Sequence, residues 1–260
     1  MKARAKLLLM VAFHISMYSY ASAHLTPIEA CYTHWYPYSY EQDGKAAGIS
    51  IEIYKAIIDR AELNVAFTPR PWARCVREFK SGHVNAIVDG GIRLPKSLNG
   101  KNRPIPWIIV FWVRNESPHK EYTQLSQFDN HIVAQSIAYG YPQSFLSFSG
   151  FKERRTLNDD LLGLQLLNAQ RADLFIGDLF GVRLMKVQHD FNIRPLLPPI
   201  EVRYLTLSFS DQMPFEFQRF ESALESMIRD GSLDLFYLHH FGMTYHHFIQ
   251  QFGPEKPLLN

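Results

Sequence analysis

Residues 48–88, GISIEIYKAIIDRAELNVAFTPRPWARCVREFKSGHVNAIV, decide the fold class of this chain. Ser50 to Leu63 carries its apolar side chains on one helical face, and Asn64 to Thr68 has the composition of a strand. A second helix is predicted to begin at Pro71, and Val84 to Val88 is predicted as a second strand. Strands and helices that alternate in this way indicate an α/β protein with mostly parallel sheets.

The same alternation continues on both sides of this stretch. Cys31 ends a predicted first strand, and the longest apolar run, Trp107 to Val113, is predicted as a buried strand. Ser50 and Asn158 are the expected N-caps of two helices, the second helix being Asp159–Ala169. Further strands are predicted at Ile132–Gln135, Asp173–Ile176 and Arg203–Phe209, and further helices at Pro142–Phe148, Asp178–Val187 and Pro214–Gly231.

The first 23 residues, MKARAKLLLMVAFHISMYSYASA, have the layout of a secretory signal peptide. Three cations precede an apolar segment from Leu7 to Phe13, and the small residues Ala21-Ser22-Ala23 predict cleavage after Ala23. The apolar segment is too short to span a bilayer, which takes about 20 helical residues. We therefore expect a periplasmic protein without stable membrane insertion.

The charge of the exported chain excludes one class of partner. The whole sequence has a formal net charge of +2, with 27 basic and 25 acidic residues. Because the signal peptide carries three cations and no acid, residues 24–260 have 24 basic and 25 acidic residues and a net charge of −1. A nucleic acid is therefore not an expected partner, since no cluster of Lys and Arg remains to neutralise its phosphates.

Cys31 and Cys75 are the only cysteines in the sequence. In an oxidising compartment two cysteines favour a single disulfide, which would close a loop of about 45 residues and contribute roughly 4 kcal/mol. Two buried thiols are the alternative.

Motifs of catalysis and metal binding are scarce. The sequence has no G-x-S-x-G, H-E-x-x-H, C-x-x-C or G-x-G-x-x-G motif, and this favours a binding protein over an enzyme. The pairs His239-His240 and His246-His247 are more typical of solvated helix ends than of a metal site. We expect neither a metal nor a cofactor.

Three stretches, taken in order, resemble the family 3 solute-binding proteins of bacterial ABC transporters. They are the aromatic loop 35–40 with the helix entry 48–53, the Pro-Trp-x-Arg-Cys segment 71–76 with residues 80–87, and Arg171 to Asp178. The resemblance implies a type II periplasmic binding protein fold, in which two α/β lobes are joined by two crossover strands. Residues 24–106 with 204–247 would form lobe 1, residues 107–203 lobe 2, and residues 248–260 a tail.

The resemblance also implies the ligand-binding residues. Trp35 and Trp72 match positions that sandwich the ligand, although core packing is the alternative for each indole. Asp178 matches the acid that holds the ligand's ammonium group, although it could equally cap the following helix. Tyr139-Gly140 resembles a loop that cradles the ligand carboxylate with backbone N–H groups. Gly90 and Arg93 complete the predicted site.

One departure from the family pattern puts amino-acid binding in doubt. The positions of the Thr and Arg that usually clamp the ligand's α-carboxylate read Ile92 and Ser97 here. A bidentate guanidinium is the strongest ordinary anchor for a carboxylate. Either Arg93 reaches in from a shifted loop, or the ligand has no α-carboxylate.

Three functions are consistent with this sequence. The leading hypothesis is a monomeric periplasmic protein that delivers a small polar solute to an inner-membrane ABC permease or a sensor. The second is an enzyme on the same scaffold, similar to the periplasmic cyclohexadienyl dehydratases, with Asp178 or Asp89 transferring protons. The third is a sensing partner whose pocket has degenerated.

Overall fold

The computed structural model of the chain describes residues 27–91, 94–98, 100–137 and 139–253. The predicted signal peptide with its cleavage site lies outside these residues, as do Ile92 and Arg93. No helix in the described ranges is long and apolar enough to cross a membrane.

The first part of the chain alternates short strands with two helices. Its elements are β1 (Ile28–Tyr32), β2 (Tyr40–Gln42), β3 (Lys45–Ala47), α1 (Ile49–Arg60), β4 (Val65–Pro69), α2 (Trp72–Lys80) and β5 (Ala86–Gly90). β2 and β3 pair as a separate antiparallel hairpin. The sequence analysis predicted β1, β4, β5 and both helices, but not this hairpin.

The second part begins and ends with long strands. Its elements are β6 (Ile105–Arg114), a 3₁₀ turn (Leu125–Phe128), β7 (Ile132–Ser136), α3 (Gln143–Ser147), β8 (Glu153–Leu157), α4 (Asp160–Asn168), β9 (Leu174–Asp178), α5 (Leu179–Gln188) and β10 (Ile193–Phe209). Three helices follow: α6 (Pro214–Arg229), α7 (Ser232–Phe241) and α8 (Tyr245–Phe252). Strand β8 and helices α7 and α8 were not predicted.

Eight strands form one sheet in the order β4-β1-β5-β10-β6-β9-β7-β8. β1 is parallel to β4 and β5, and β7 is parallel to β8 and β9. Between these two groups β6 and β10 run antiparallel to each other, with Tyr204 opposite Pro106 and Arg203 opposite Trp107. The α/β prediction with two crossover strands is confirmed, and the two predicted crossover points lie side by side.

The central strand β6 follows directly from its sequence. Its residues Ile105 to Val113 are all buried, the most exposed being Trp107 at 9%. A strand covered on both faces needs no polar alternation, so it takes the form of a continuous apolar run. The predicted run, Trp107 to Val113, was short by two residues at its start and by one at its end.

The strand β10 is longer than predicted, because it begins at Ile193 and not at Arg203. Pro195, Pro198 and Pro199 hid its first half, since proline is rare inside a sheet. The pairing with β6 shifts register between Leu196 and Glu201, where two of the prolines lie. An irregularity of this kind accommodates residues that lack an N–H donor.

Two predicted helix caps were wrong. The N-cap of α1 is Gly48, and Ser50 is buried within the first turn. The N-cap of α4 is Asp159, whose side chain accepts a hydrogen bond from the Leu162 N–H, and not Asn158. Ser, Asn and Asp are all good caps, so propensity alone does not choose between neighbouring residues of this kind.

The disulfide between Cys31 and Cys75 is present, which confirms the bridged alternative. It joins β1 to α2 with a Cα–Cα distance of 5.9 Å. Both cysteines are fully buried in a small cluster with Phe79, Val84 and Ile87. The bridge therefore fixes α2, which begins at Trp72, against strand β1.

Gly48 allows the start of α1 to dock on the aromatic loop. The N–H groups of Ile49 and Ser50 donate to the carbonyls of Pro37 and Tyr38 at 3.0 and 2.9 Å. Gly48 has φ +110°, and a Cβ added there would lie 2.5 Å from the Tyr38 carbonyl oxygen. A side chain at this position would push the loop away from the helix.

We expect Gly48→Ala to lower the free energy of unfolding by about 1–3 kcal/mol, because it combines positive φ with a backbone clash. Gly44→Ala is the matched control, since Gly44 has φ +71° but nothing within 4 Å of an added Cβ. Urea unfolding of both variants separates the two contributions. Equal losses of unfolding free energy in the two variants would show that the close approach at Gly48 does not contribute to stability.

Candidate ligand-binding site

A cavity of about 1290 Å³ opens beside the crossover strands. Part of its wall comes from segments at or beyond strand ends, namely the loop after β1, the end of β5 and the loop after β7. Residues 201–205, inside β10, also line it. Of the predicted site residues that the structure describes, four line this cavity: Trp35, Trp72, Tyr139 and Gly140. The position agrees with the rule that open α/β sheets bind ligands at strand ends.

Three aromatic rings in mutual contact form one side of the cavity. The ring centroid of Trp35 lies 5.7 Å from that of Trp107 and 6.4 Å from that of Tyr139, with edge-to-face geometry. Trp107 and Tyr139 are 6.0 Å apart. The sequence analysis treated Trp107 only as part of an apolar strand, because nothing local shows that its indole reaches the cavity. Trp72, 37% exposed, lines the cavity from the first turn of α2.

Asp178 lies behind this aromatic layer and is not among the residues that line the cavity. Its Oδ1 accepts hydrogen bonds from the Tyr38 hydroxyl at 2.9 Å and from the N–H groups of Phe180 and Gly181 at 3.0 and 2.6 Å. Tyr38 in turn stacks on Trp35 with a centroid distance of 4.2 Å. The carboxylate therefore caps α5 and supports the aromatic loop from beneath, so the helix-cap alternative describes its contacts in this structure.

The environment of Asp178 disfavours its charged form. The residue is 1% exposed, and the backbone N–H of Ile108 also acts on its carboxyl. Burial raises the pKa of Asp178 from 3.8 to about 7, although the Gly181 N–H and the Tyr38 hydroxyl oppose the shift.

Asp89 is the carboxylate that lines the cavity on the β5 side. Its backbone has φ +57°, an uncommon conformation for a residue other than glycine. Its Oδ1 accepts a hydrogen bond from the Tyr54 hydroxyl at 2.9 Å, and the Ser50 hydroxyl also stabilises this carboxylate. Burial raises the pKa of Asp89 to about 7, although hydrogen bonds from the Ser50 and Tyr54 hydroxyls oppose this shift. The sequence analysis named Asp89 only as a proton-transfer candidate.

Gly90 and Ser97 lie outside the cavity lining. A Cβ at Gly90 would lie 2.2 Å from the Ser208 hydroxyl, so this glycine allows β5 and β10 to approach each other. Ser97 donates from its hydroxyl to the Leu94 carbonyl at 2.6 Å. Gly91 takes the position at the cavity that was predicted for Gly90. Arg93 and Ile92, also named for this loop, fall outside the described residues.

On the other side of the cavity, polar groups are connected into a network. Tyr139 donates to Asp160 Oδ2 at 3.0 Å, and the Ser136 hydroxyl donates to Asp160 Oδ1. Arg203 forms a two-point ion pair with Glu201, at 2.6 and 2.9 Å, and donates to the Gly140 carbonyl. The guanidinium of Arg203 also lies over the Trp107 ring, 5.1 Å from its centroid.

The histidine pairs near the C-terminus lie on α7 and α8. His240 Nε2 lies 3.0 Å from Glu52 Oε2, which places this histidine against α1. Within the described part of the chain, no three His, Cys, Asp or Glu side chains are grouped to hold a metal ion.

A comparison of the sequence with models of protein families shows which family this chain belongs to. The model of the bacterial extracellular solute-binding proteins, family 3, matches residues 29–243, which is most of the chain. The chain belongs to this family. It is therefore a member of a class of extracellular proteins that bind small solutes, as the sequence motifs implied.

Solved structures show that this family 3 protein has the expected fold. The probable amino-acid ABC transporter extracellular-binding protein of Bacillus subtilis has a TM-score of 0.71 at 15% identity, covering 84% of this chain and 98% of its own. The arginine-, lysine-, histidine-binding protein of Geobacillus stearothermophilus has a TM-score of 0.65 at 15% identity, and the match covers 84% of this chain and 96% of that protein. A histidine kinase sensor domain with similarity to periplasmic binding proteins has a TM-score of 0.67 at 16% identity, and the match covers 84% of this chain and 97% of that domain. No curated protein sequence matches the chain.

Proposed function

We propose that this protein captures a small polar solute in the cavity between two lobes. Lobe 1 would comprise residues 24–106 and 204–247, and lobe 2 residues 107–203. The central position of the antiparallel pair β6 and β10 in the sheet supports this division. The segment 248–260, predicted as a tail, starts inside α8, where Phe248 is buried and Ile249 lines the cavity.

The observation that carries this proposal is the composition of the cavity wall. Indole and phenol rings offer faces for the apolar or cationic part of a solute, and Asp89 offers a carboxyl group at the cavity wall. The volume, about 1290 Å³, exceeds the roughly 300–1000 Å³ of ordinary ligand pockets. We therefore interpret this conformation as open, with a solute that shifts the population towards a closed form.

Export and delivery complete the proposal. The layout of residues 1–23 supports secretion to the periplasm with cleavage after Ala23. An inner-membrane ABC permease is the proposed partner of a monomeric carrier. A sensor is the alternative partner, since both a transporter component and a sensor domain share this fold.

Native mass spectrometry of freshly purified protein tests solute capture. We expect an added mass in the range of a small metabolite, lost on denaturation. A thermal-shift screen with a broad metabolite panel is the complementary measurement, because a bound solute stabilises the native state by mass action. No added mass together with no stabilising compound would contradict the proposal and favour the degenerate sensing partner.

Trp72→Ala is expected to weaken solute binding by about 10-fold or more while leaving the fold intact, because the indole lines the cavity and is already 37% exposed. Bound solute in the native mass spectrum and circular dichroism are the two measurements. Phe215→Ala is the matched control, since Phe215 is 65% exposed and does not line the cavity. Unchanged solute occupancy in Trp72→Ala would assign Trp72 to packing.

Asp89 gives the enzyme hypothesis its one specific support. A cavity-lining carboxyl whose pKa is raised to about 7 is suited to general acid–base chemistry near neutral pH. NMR of the co-purified solute during incubation with the protein separates the functions. An unchanged solute supports capture, and its conversion at a rate that Asp89→Asn abolishes would establish an enzyme that depends on Asp89.

A further inference from the structure

The side chains of His119 and His131 meet outside the solute cavity. His119 lies between β6 and the 3₁₀ turn, and His131 directly precedes β7. Their Nε2 atoms are 3.1 Å apart, and the two ring planes meet at 61°. Neither histidine lines the cavity, whereas Ser136, at the other end of β7, does. The two imidazoles therefore form a cluster of their own.

The ring of His131 is oriented by the backbone next to it. Its Nδ1 lies 3.0 Å from the carbonyl oxygen of Asp129. Because a carbonyl can only accept, Nδ1 carries a proton, and in the neutral ring Nε2 carries the lone pair. His119 Nε2 therefore donates to His131 Nε2. Histidines that bind metals commonly donate their second ring N–H to a backbone carbonyl, so His131 is oriented as a metal ligand is.

Both histidines are held in place by contacts other than the one between their rings. Arg194 donates to the His119 carbonyl. The N–H of His131 donates to the Phe128 carbonyl at 3.1 Å, and the His131 carbonyl accepts from the Lys152 N–H at 3.0 Å. The buried Phe128 ring packs edge-to-face against both imidazoles, with centroid distances of 5.1 and 6.0 Å. The approach of the two rings is therefore preorganised.

The distance between the two nitrogens suits a shared metal ion. With metal–nitrogen bonds of about 2.0–2.1 Å, two imidazole nitrogens are about 2.9 Å apart at a right angle and about 3.4 Å apart at a tetrahedral angle. The observed 3.1 Å lies between these values. A metal can therefore replace the proton between the rings with little movement. Because His119 is only partly buried, that proton can move to its Nδ1 by exchange with water.

We propose that His119 and His131 bind one divalent transition-metal cation through their Nε2 atoms, with water completing the coordination. Imidazole is a ligand for Zn²⁺, Cu²⁺ and Ni²⁺. Among the described residues, no third His, Cys, Asp or Glu side chain joins the pair. A site with two protein ligands is open to solvent and weaker than a structural zinc site, which has four.

Two charged side chains near the pair act in opposite directions. The positive charge of Arg194 disfavours a cation at His119, and the negative charge of Asp173 partly offsets it. Asp173 is fixed at the start of β7, because its Oδ2 accepts a hydrogen bond from the Ile132 N–H at 2.8 Å. The surrounding charge thus lowers the affinity for a metal but does not reject it.

A metal bound here connects two parts of one segment. Residues 115–131 join β6 to β7, and a metal held at positions 119 and 131 closes most of this connection into a loop. Because folding brings the two imidazoles together, the metal stabilises the native state by mass action. The inference goes beyond solute capture, since it depends neither on a solute nor on the division into lobes.

Calorimetric titration with Zn²⁺ tests the site. His119→Ala and His131→Ala are each expected to weaken binding at one Zn²⁺ site about 10-fold or more, because each removes one of its two ligands. His189→Ala is the matched control, since His189 is exposed and stacks on Phe191. It should bind Zn²⁺ as wild type. Binding that is absent from wild type, or unchanged in either site variant, would overturn the proposal.

A measurement on the wild-type protein keeps the test independent of how the variants fold. Diethyl pyrocarbonate modifies imidazole nitrogens, and peptide mass spectrometry identifies the histidines that have reacted. Zn²⁺ should slow the modification of both His119 and His131, while His189 should react at the same rate with and without the metal. Equal rates at His119 and His131 with and without Zn²⁺ would also overturn the proposal.

Discussion

The double variant Cys31→Ala/Cys75→Ala is expected to lose about 4 kcal/mol of stability. The two cysteines are 44 residues apart, and the chain-entropy relation gives about 4 kcal/mol at 25 °C for a loop of this length. The alanines also remove sulfur atoms from a fully buried cluster, which adds to the loss.

Guanidinium unfolding with and without reductant measures this effect and supplies its own control. Wild type should lose most of its extra stability when reduced, whereas the double variant should be insensitive to reductant. Labelling of denatured, unreduced wild type should find no free thiol. Equal unfolding midpoints for oxidised wild type and the double variant would refute a stabilising bridge.

Asp178→Ala is expected to lower the free energy of unfolding by about 2–4 kcal/mol. Loss of the α5 N-cap costs about 1 kcal/mol. The buried Tyr38 hydroxyl would also lose its acceptor, at a cost of about 1–3 kcal/mol. Because Tyr38 stacks on Trp35, the loss is expected to loosen the aromatic wall of the cavity as well.

Asp178→Asn is the matched control, since its amide oxygen can still accept the hydrogen bonds of the cap. It should retain most of the stability that the alanine variant loses. Solute binding then separates the two roles: an asparagine variant that binds as wild type would show that Asp178 acts as a cap. A stable asparagine variant without solute would support the ammonium contact that the family resemblance implies. Equal destabilisation by alanine and asparagine would contradict the capping argument.

The raised pKa of Asp178 adds a pH dependence with a definite sign. Its pKa is about 7 in the folded protein and 3.8 for the ordinary carboxyl, so the folded state binds more protons between these values. Stability from this group therefore falls as pH rises from about 4 to 7. Denaturation at pH 5 and pH 8 should show a smaller decline in Asp178→Asn than in wild type.

Much of the fold could be predicted because its signals are local. The apolar run of β6, the proline that begins α6 and the glycines at helix ends each act over a few residues. Misses occurred where the local signal was ambiguous or misleading, as at the prolines inside β10 and at the caps of α1 and α4.

The candidate site was predicted less completely. Trp35, Trp72, Tyr139 and Gly140 line the cavity, and their contact with a ligand stays a prediction. Trp107 and Asp89 also line it. The sequence analysis assigned Trp107 to a buried strand and named Asp89 only as a proton-transfer residue of the alternative enzyme. Asp178 was expected at the cavity and caps a helix behind its wall.

By itself, the sequence determined the alternation of strands and helices, the family and the pairing partner available to each cysteine. Only the tertiary structure decided which carboxylate meets the cavity and which arginine is already neutralised. The reason is physical: periodicity and turn chemistry act between neighbours in the chain. The meeting of Arg203 with Trp107, or of Tyr38 with Asp178, depends on strand order and register across distant segments.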